Sequence, residues 1–132
     1  MKILSRIFLS AIVGLLVGCT TIGPVRNGPI VGAWGGKWDN RWPVFFVIVD
    51  TGEPTYKVFY KWKERVDGPY SLSDGMARGG LSEVQFSNIN ISIDPDNSDK
   101  AIAKGDFPTP RKANLIRLPP SPIENLDLKE FN

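Results

Sequence analysis

The stretch TYKVFYKWKER, from residue 55, sets Tyr56, Val58, Tyr60 and Trp62 against Lys57, Phe59, Lys61 and Lys63 in strict alternation. Successive side chains of a strand point to opposite faces, so this pattern makes a β-strand with an aromatic face and a largely basic one. The same period of two recurs along the chain. Strands are predicted over 30–38, 44–50, 55–65, 70–78, 83–94, 100–107 and 113–118, separated by DNRWP, DTGEP, VDGP, GG, DPDNSD and PTPR. Such turn signals at close intervals suit successive hairpins. The predicted fold class is therefore all-β, an antiparallel up-and-down meander. Closing about seven or eight strands into a barrel removes the exposed edges that an open sheet has to protect.

The segment before this body has a different character. Lys2 and Arg6 precede an apolar run over 7–17 broken only by Ser10 and Gly14. That is the layout of a signal peptide, and the run is shorter than the roughly 18 residues a membrane-spanning helix needs. It ends in Leu16-Val17-Gly18-Cys19, which holds the only cysteine of the chain. These four residues resemble the lipobox of bacterial lipoproteins. The resemblance implies cleavage after residue 18, acylation of Cys19, and a membrane partner held through the lipid anchor. A single chain anchors marginally, whereas several make the attachment stable. Thr20 stands where an aspartate retains such proteins in the inner membrane, so the resemblance implies an outer-membrane protein facing the periplasm.

Loss of residues 1–18 removes two of the 16 basic residues and no acid, leaving 14 bases against 14 acids. No nucleic-acid partner is expected of so balanced a chain. Residues 19–29, lipidated at Cys19, read as a tether, whose ten residues after the cysteine span at most about 33 Å. The barrel domain is placed at 30–118 and a proline-rich tail at 119–132. In the tail, Ser121-Pro122-Ile123-Glu124 spells a capping box. Either a short helix over 122–131, with Ile123, Leu126 and Phe131 against the body, or a closing strand follows.

In the first strand, Gly32-Ala33-Trp34 is similar to the G-x-W of lipocalins and avidin-like barrels, and Gly36-Lys37-Trp38 repeats it. The chain also resembles small bacterial lipoproteins whose mature part starts with a GxWxGxWDN-like strand. The lipocalin resemblance implies that Trp34 packs at a closed barrel end beneath a late-strand arginine, Arg111 or Arg117. Trp34, Gly36 and Trp38 share one face. Together with Tyr56, Tyr60 and Trp62 the two tryptophans form a candidate aromatic wall for a small apolar or sugar-like ligand. Gly35, Gly36, Ala101, Ala103 and Gly105 leave volume wherever they face inward. The alternatives are a solid barrel that docks an envelope protein, the cell wall or anionic lipid through its exterior, and side-chain hydroxyls satisfied within a filled core.

Asp94, Asp96 and Asp99 form a weak candidate calcium cluster, although an EF-hand would place Gly where Asp99 stands and Glu where Gly105 stands. A polar hairpin accounts for the same residues. The chain has no histidine, its one thiol is the one the lipobox resemblance implies is acylated, and no phosphate-cradling Gly-Lys-Ser/Thr motif is present. Histidine-based zinc sites and the common nucleophile–base pairs are thereby excluded. Carboxylate-only catalysis through Asp39 or Glu64 is marked by nothing around those residues. No cofactor is expected, and the expectation is a non-enzymatic protein.

Overall fold

A computed structural model describes residues 29–52, 54–65 and 67–127. The expected signal peptide, Cys19, most of the expected tether and Phe131 lie outside the described residues. Eight strands run in chain order: β1 (Gly32–Trp38), β2 (Trp42–Asp50), β3 (Thr55–Lys63), β4 (Tyr70–Gly79), β5 (Glu83–Phe86), β6 (Ile89–Asp94), β7 (Asn97–Asp106) and β8 (Pro110–Leu118). Each pairs antiparallel with the next, and β8 returns to β1 to close the barrel. The all-β up-and-down barrel expected from the alternation is the observed fold.

Inward faces follow the alternation. Trp34 and Trp38 on β1, and Tyr56, Val58 and Tyr60 on β3, belong to one buried core, with Trp62 packed against it. From β7 and β8, Ala101, Ala103, Ala113 and Leu115 face the same core. Small residues there make room for the large rings opposite, which is how a narrow barrel reaches interior packing density. Gly36 marks a close approach of β1 to β8. A Cβ built on it falls 2.1 Å from the Asn114 carbonyl oxygen and 3.0 Å from a Leu115 methyl group.

The expected strand over 83–94 is two strands. Ser87, at φ 56°, and Asn88 turn the chain so that Phe86 pairs with Ile89. Inward residues change parity there, from Val84 and Phe86 to Ile89 and Ile91. A two-residue hairpin loop imposes that shift. No glycine or proline flags the turn, so the change of parity between Phe86 and Ile89 is its only mark in the sequence.

The tail also differs from the capping-box reading. Pro122, extended at φ −60° and ψ 148°, precedes a 3-10 helix of three residues, Ile123–Asn125, with no side-chain cap. Its anchor comes from elsewhere. Ile123 and Leu126 are buried on the outer face of β2 and β3 beside Phe45 and Ala33, as the sequence led us to expect of both. Beneath them Lys61, only 6% exposed, donates from Nζ to the Glu124 carbonyl at 3.0 Å and to the Leu126 carbonyl. With those carbonyls engaged and Leu126 extended at ψ 138°, helical propagation stops. Burial pushes the Lys61 ammonium below its usual pKa, against the opposing pull of Asp127 and Glu124. The lysine face of β3 is thus partly covered, not uniformly solvated.

A methyl group at Gly36 has to displace backbone of β8. Gly36→Ala is expected to lower stability by about 1–3 kcal/mol. Gly68→Ala, where the added carbon meets nothing closer than 3.5 Å, changes stability by less than about 1 kcal/mol. Denaturant unfolding of the two variants measures the contrast.

Candidate functional site

The up-and-down topology sorts the connections between two ends. One end collects residues 29–31 and the turns after β2, β4 and β6; the other collects the turns after β1, β3, β5 and β7.

The first end is shut. Ile30 is fully buried, held by its amide donating to the Leu81 carbonyl at 3.1 Å and by its carbonyl accepting from Trp34 Nε1 at 3.0 Å. Arg117 lies 4.4 Å over the Trp34 ring. Its guanidinium donates to the Val31 carbonyl at 2.9 Å, the Ser98 carbonyl at 3.0 Å, the Pro29 carbonyl and Asp99 Oδ1 at 3.1 Å. Of the two arginines the sequence offered for this position, Arg117 takes it. Tyr56 is fully buried and donates to the Gly80 carbonyl at 2.8 Å. Trp34 and Tyr56, both counted in the expected ligand wall, therefore sit in the packed end away from any opening.

The second end is a mouth with a cavity of about 440 Å³, lined by Trp38, Trp42, Tyr60, Trp62, Lys63, Glu64, Phe107 and Arg111. Trp38, Tyr60 and Trp62 are the expected wall residues that meet there. Their arrangement follows from register. Phe46 pairs with Tyr60 across β2 and β3, and Trp62 lies two residues on, on the same face. The result is a continuous stack: Phe46 to Tyr60 at 4.9 Å and 4°, then Tyr60 to Trp62 at 4.4 Å and 20°. It rises from the core, where Phe46 is fully buried, to the half-buried Trp62.

Trp38 fixes this stack in place by donating from Nε1 to the Tyr60 hydroxyl at 3.1 Å. Phe107 meets Trp38 edge-on at 5.3 Å. It folds back over Gly105, where a Cβ would fall 2.3 Å from the ring. On the remaining side, Arg111 and Arg41 lie 4.8 and 4.6 Å over the Trp42 ring. Arg111 Nη1 is 3.8 Å from Asp39 Oδ2, and its Nε is buried with no hydrogen-bond partner.

Trp42, Phe107, Arg111 and Lys63 were not anticipated as pocket residues. Trp42 looks like part of a turn because Pro43 follows it, yet β2 already begins there. Phe107 and Arg111 flank a proline-rich turn, and only the closure of β8 on β1 brings them to the tryptophans. Trp38 pairing with both Trp42 and Ala113 is what a barrel register adds to the sequence.

The acidic cluster is a hairpin. Asp94 Oδ1 accepts from the Asp96 amide at 2.8 Å, Asn97 Oδ1 accepts from the Asp99 amide at 2.9 Å, and Asp99 is paired with Arg117. Among the described residues no group of three acidic, cysteine or histidine side chains is placed to hold a metal ion. Compared with known proteins, the chain matches no family model, no curated protein and no solved structure.

Burial pushes the Tyr60 phenol up to about 12, although the Trp38 N–H favours the phenolate. An unfolded phenol titrates near 10.0. Between those values the folded chain keeps a proton the unfolded chain releases, so stability is full below pH 10 and falls as pH rises towards 12. The slope is at most about 1.4 kcal/mol per pH unit. Tyr60→Phe should remove this component, seen as a flatter alkaline dependence of the unfolding free energy than in the wild type.

Proposed function

We propose that this is a lipid-anchored, non-enzymatic envelope protein whose barrel mouth binds one small flat-faced ligand, of apolar or sugar-like character. The observation that carries the reading is the half-buried Trp62 at the head of the Phe46–Tyr60–Trp62 stack, facing a 440 Å³ cavity. Such a volume lies in the range of small-molecule sites, and an aromatic shelf held by a Trp38–Tyr60 hydrogen bond is preorganised, which lowers the cost of binding. The first-strand tryptophan under a last-strand arginine supports a lipocalin-like division into a closed end and an open one. The chain enters the barrel at the closed end. With Cys19 acylated and a tether of at most about 33 Å, the mouth then opens away from the outer membrane into the periplasm.

A second reading has support from one place. On the outer face of β4, Leu72 is 55% and Met76 53% exposed, and a groove of about 410 Å³ runs between Phe59, Leu72 and Ile123. A barrel that docks an envelope protein would use this surface and leave the mouth unoccupied.

Native mass spectrometry of the protein mixed with cell-envelope extract tests the first reading. A small ligand should be retained by the wild type, and Trp62→Ala should weaken its binding by about 1–3 kcal/mol. Lys57→Gln, on the outer face, should leave it unchanged. Retention of the ligand by Trp62→Ala at undiminished affinity, or no ligand at all, rejects the mouth as the site. For the anchor, Cys19→Ser should abolish incorporation of labelled fatty acid; equal labelling of the two proteins rejects lipidation at Cys19.

A further inference from the structure

We infer that the ligand of the mouth is a planar ring acid, a flat ring system carrying a carboxylate, in place of a neutral sugar. This rests on the mouth being a ligand site and deepens that reading by naming the chemical class.

The first argument is the inventory of hydrogen-bonding groups. Trp38 N–H is already given to Tyr60. The indole N–H groups of Trp42 and Trp62 have no protein partner among the described residues. Arg111 completes the cationic lining, a donor only; Lys63 also borders the cavity, but its Nζ lies 4.6 Å over the Tyr70 ring on the outer face. Against these stand two acceptors: the Tyr60 hydroxyl, which accepts from Trp38, and Glu64, whose residue is exposed at the rim. The lining is rich in donors and poor in acceptors. A sugar hydroxyl needs to give a proton as well as receive one, so a polyol would leave its own donors unmet in this site. A carboxylate only accepts.

The second argument is charge. Arg111 lines the cavity and Arg41 lies over the same Trp42 ring. The counter-ion nearest to Arg111, Asp39, is 3.8 Å away. That is beyond hydrogen-bonding distance, so the guanidinium fork is not committed to it. Its buried Nε has no acceptor at all, and a modest shift of the side chain towards the cavity would present Nε and Nη together to a carboxylate. A bidentate pair of that kind satisfies both donors at once.

The third argument is shape. Phe46, Tyr60 and Trp62 form successive layers within 20° of parallel. The outer layer is only half-buried. A planar ring continues the stack, whereas the puckered, hydroxyl-studded face of a polyol matches it less closely.

The test is calorimetric titration of the purified full-length chain with three probes: a naphthalene carboxylate, the matching naphthalene carboxamide, and N-acetylglucosamine. The carboxylate should bind at least about tenfold more tightly than the carboxamide, and the sugar more weakly than either. Raising salt should weaken the carboxylate and leave the carboxamide nearly unchanged. Arg111→Gln should abolish the preference while the carboxamide binds within about twofold of wild type. Arg111→Lys, which keeps the charge without the fork, should give an intermediate preference. Should Arg111→Gln fail to fold, the salt dependence of the wild type decides alone. Equal or tighter binding of the carboxamide or the sugar overturns the acid class, as does a preference that survives Arg111→Gln or a failure of the carboxylate to bind. In those cases the mouth itself stands or falls on Trp62→Ala: loss of whichever probe binds keeps the site, and undiminished binding removes it.

Discussion

The return of β8 to β1, locked by Arg117, is the interaction on which the rest of the structure depends. Hairpin pairing makes seven of the eight seams local in sequence, but the last joins strands separated by most of the chain. Its loop-closure cost is correspondingly the largest. Arg117 reinforces that seam by reaching from β8 to carbonyl groups of Pro29, Val31 and Ser98, and by lying over the Trp34 ring. The groups it gathers belong to the entering chain, to β1 and to β7. A planar cation with several donors suits that task, because it satisfies carbonyls left without ladder partners while its face covers an apolar ring. Gly36 lets the two strands lie this close.

That closure divides the interior into two regimes. Near Arg117 the rings are large and fully buried, and each polar tip has a backbone partner: Trp34 on Ile30, Tyr56 on Gly80. Toward the opposite end the rings are successively more exposed, and one polar tip satisfies another, Trp38 N–H to the Tyr60 hydroxyl. A barrel of eight strands is just wide enough to be filled or to hold one small molecule. Here one end is filled by side chains and the other opens into a cavity. The filled half gives the stability that lets the stack run out to a half-buried Trp62 in the other.

Period two made most of this legible. The face shared by Trp34, Gly36 and Trp38, and the inward set Tyr56, Val58, Tyr60 and Trp62, follow from strand geometry alone and appear in the structure unchanged. Depth along the axis was not legible, because alternation tells inside from outside but carries no information on distance from an open end. Trp34 and Trp38 therefore looked equivalent, although one is sealed and the other lines a cavity. The turn at Ser87-Asn88 was readable only as a change of parity. Trp42, Phe107 and Arg111 required the register across the β1–β8 seam, a long-range relation absent from local pattern. Lys61 shows the converse: a residue placed correctly on the outer face whose environment is set by a tail segment more than sixty positions away.

The ring of strands is not uniform around its circumference. β4 joins β3 along its whole length, from Thr55↔Arg78 to Lys63↔Tyr70, yet meets β5 at Arg78↔Gln85 and Gly79↔Val84 alone among the described residues. A closed hoop under thermal agitation parts where its joint is shortest, since the free energy of local opening scales with the bonds and buried surface given up. The gap would begin beside Ser71 and Ser73 of β4, directly across from Trp62 and Tyr60. Opening at this joint would widen the mouth from the side while Arg117 keeps the far end shut, and it would require no unfolding of the core.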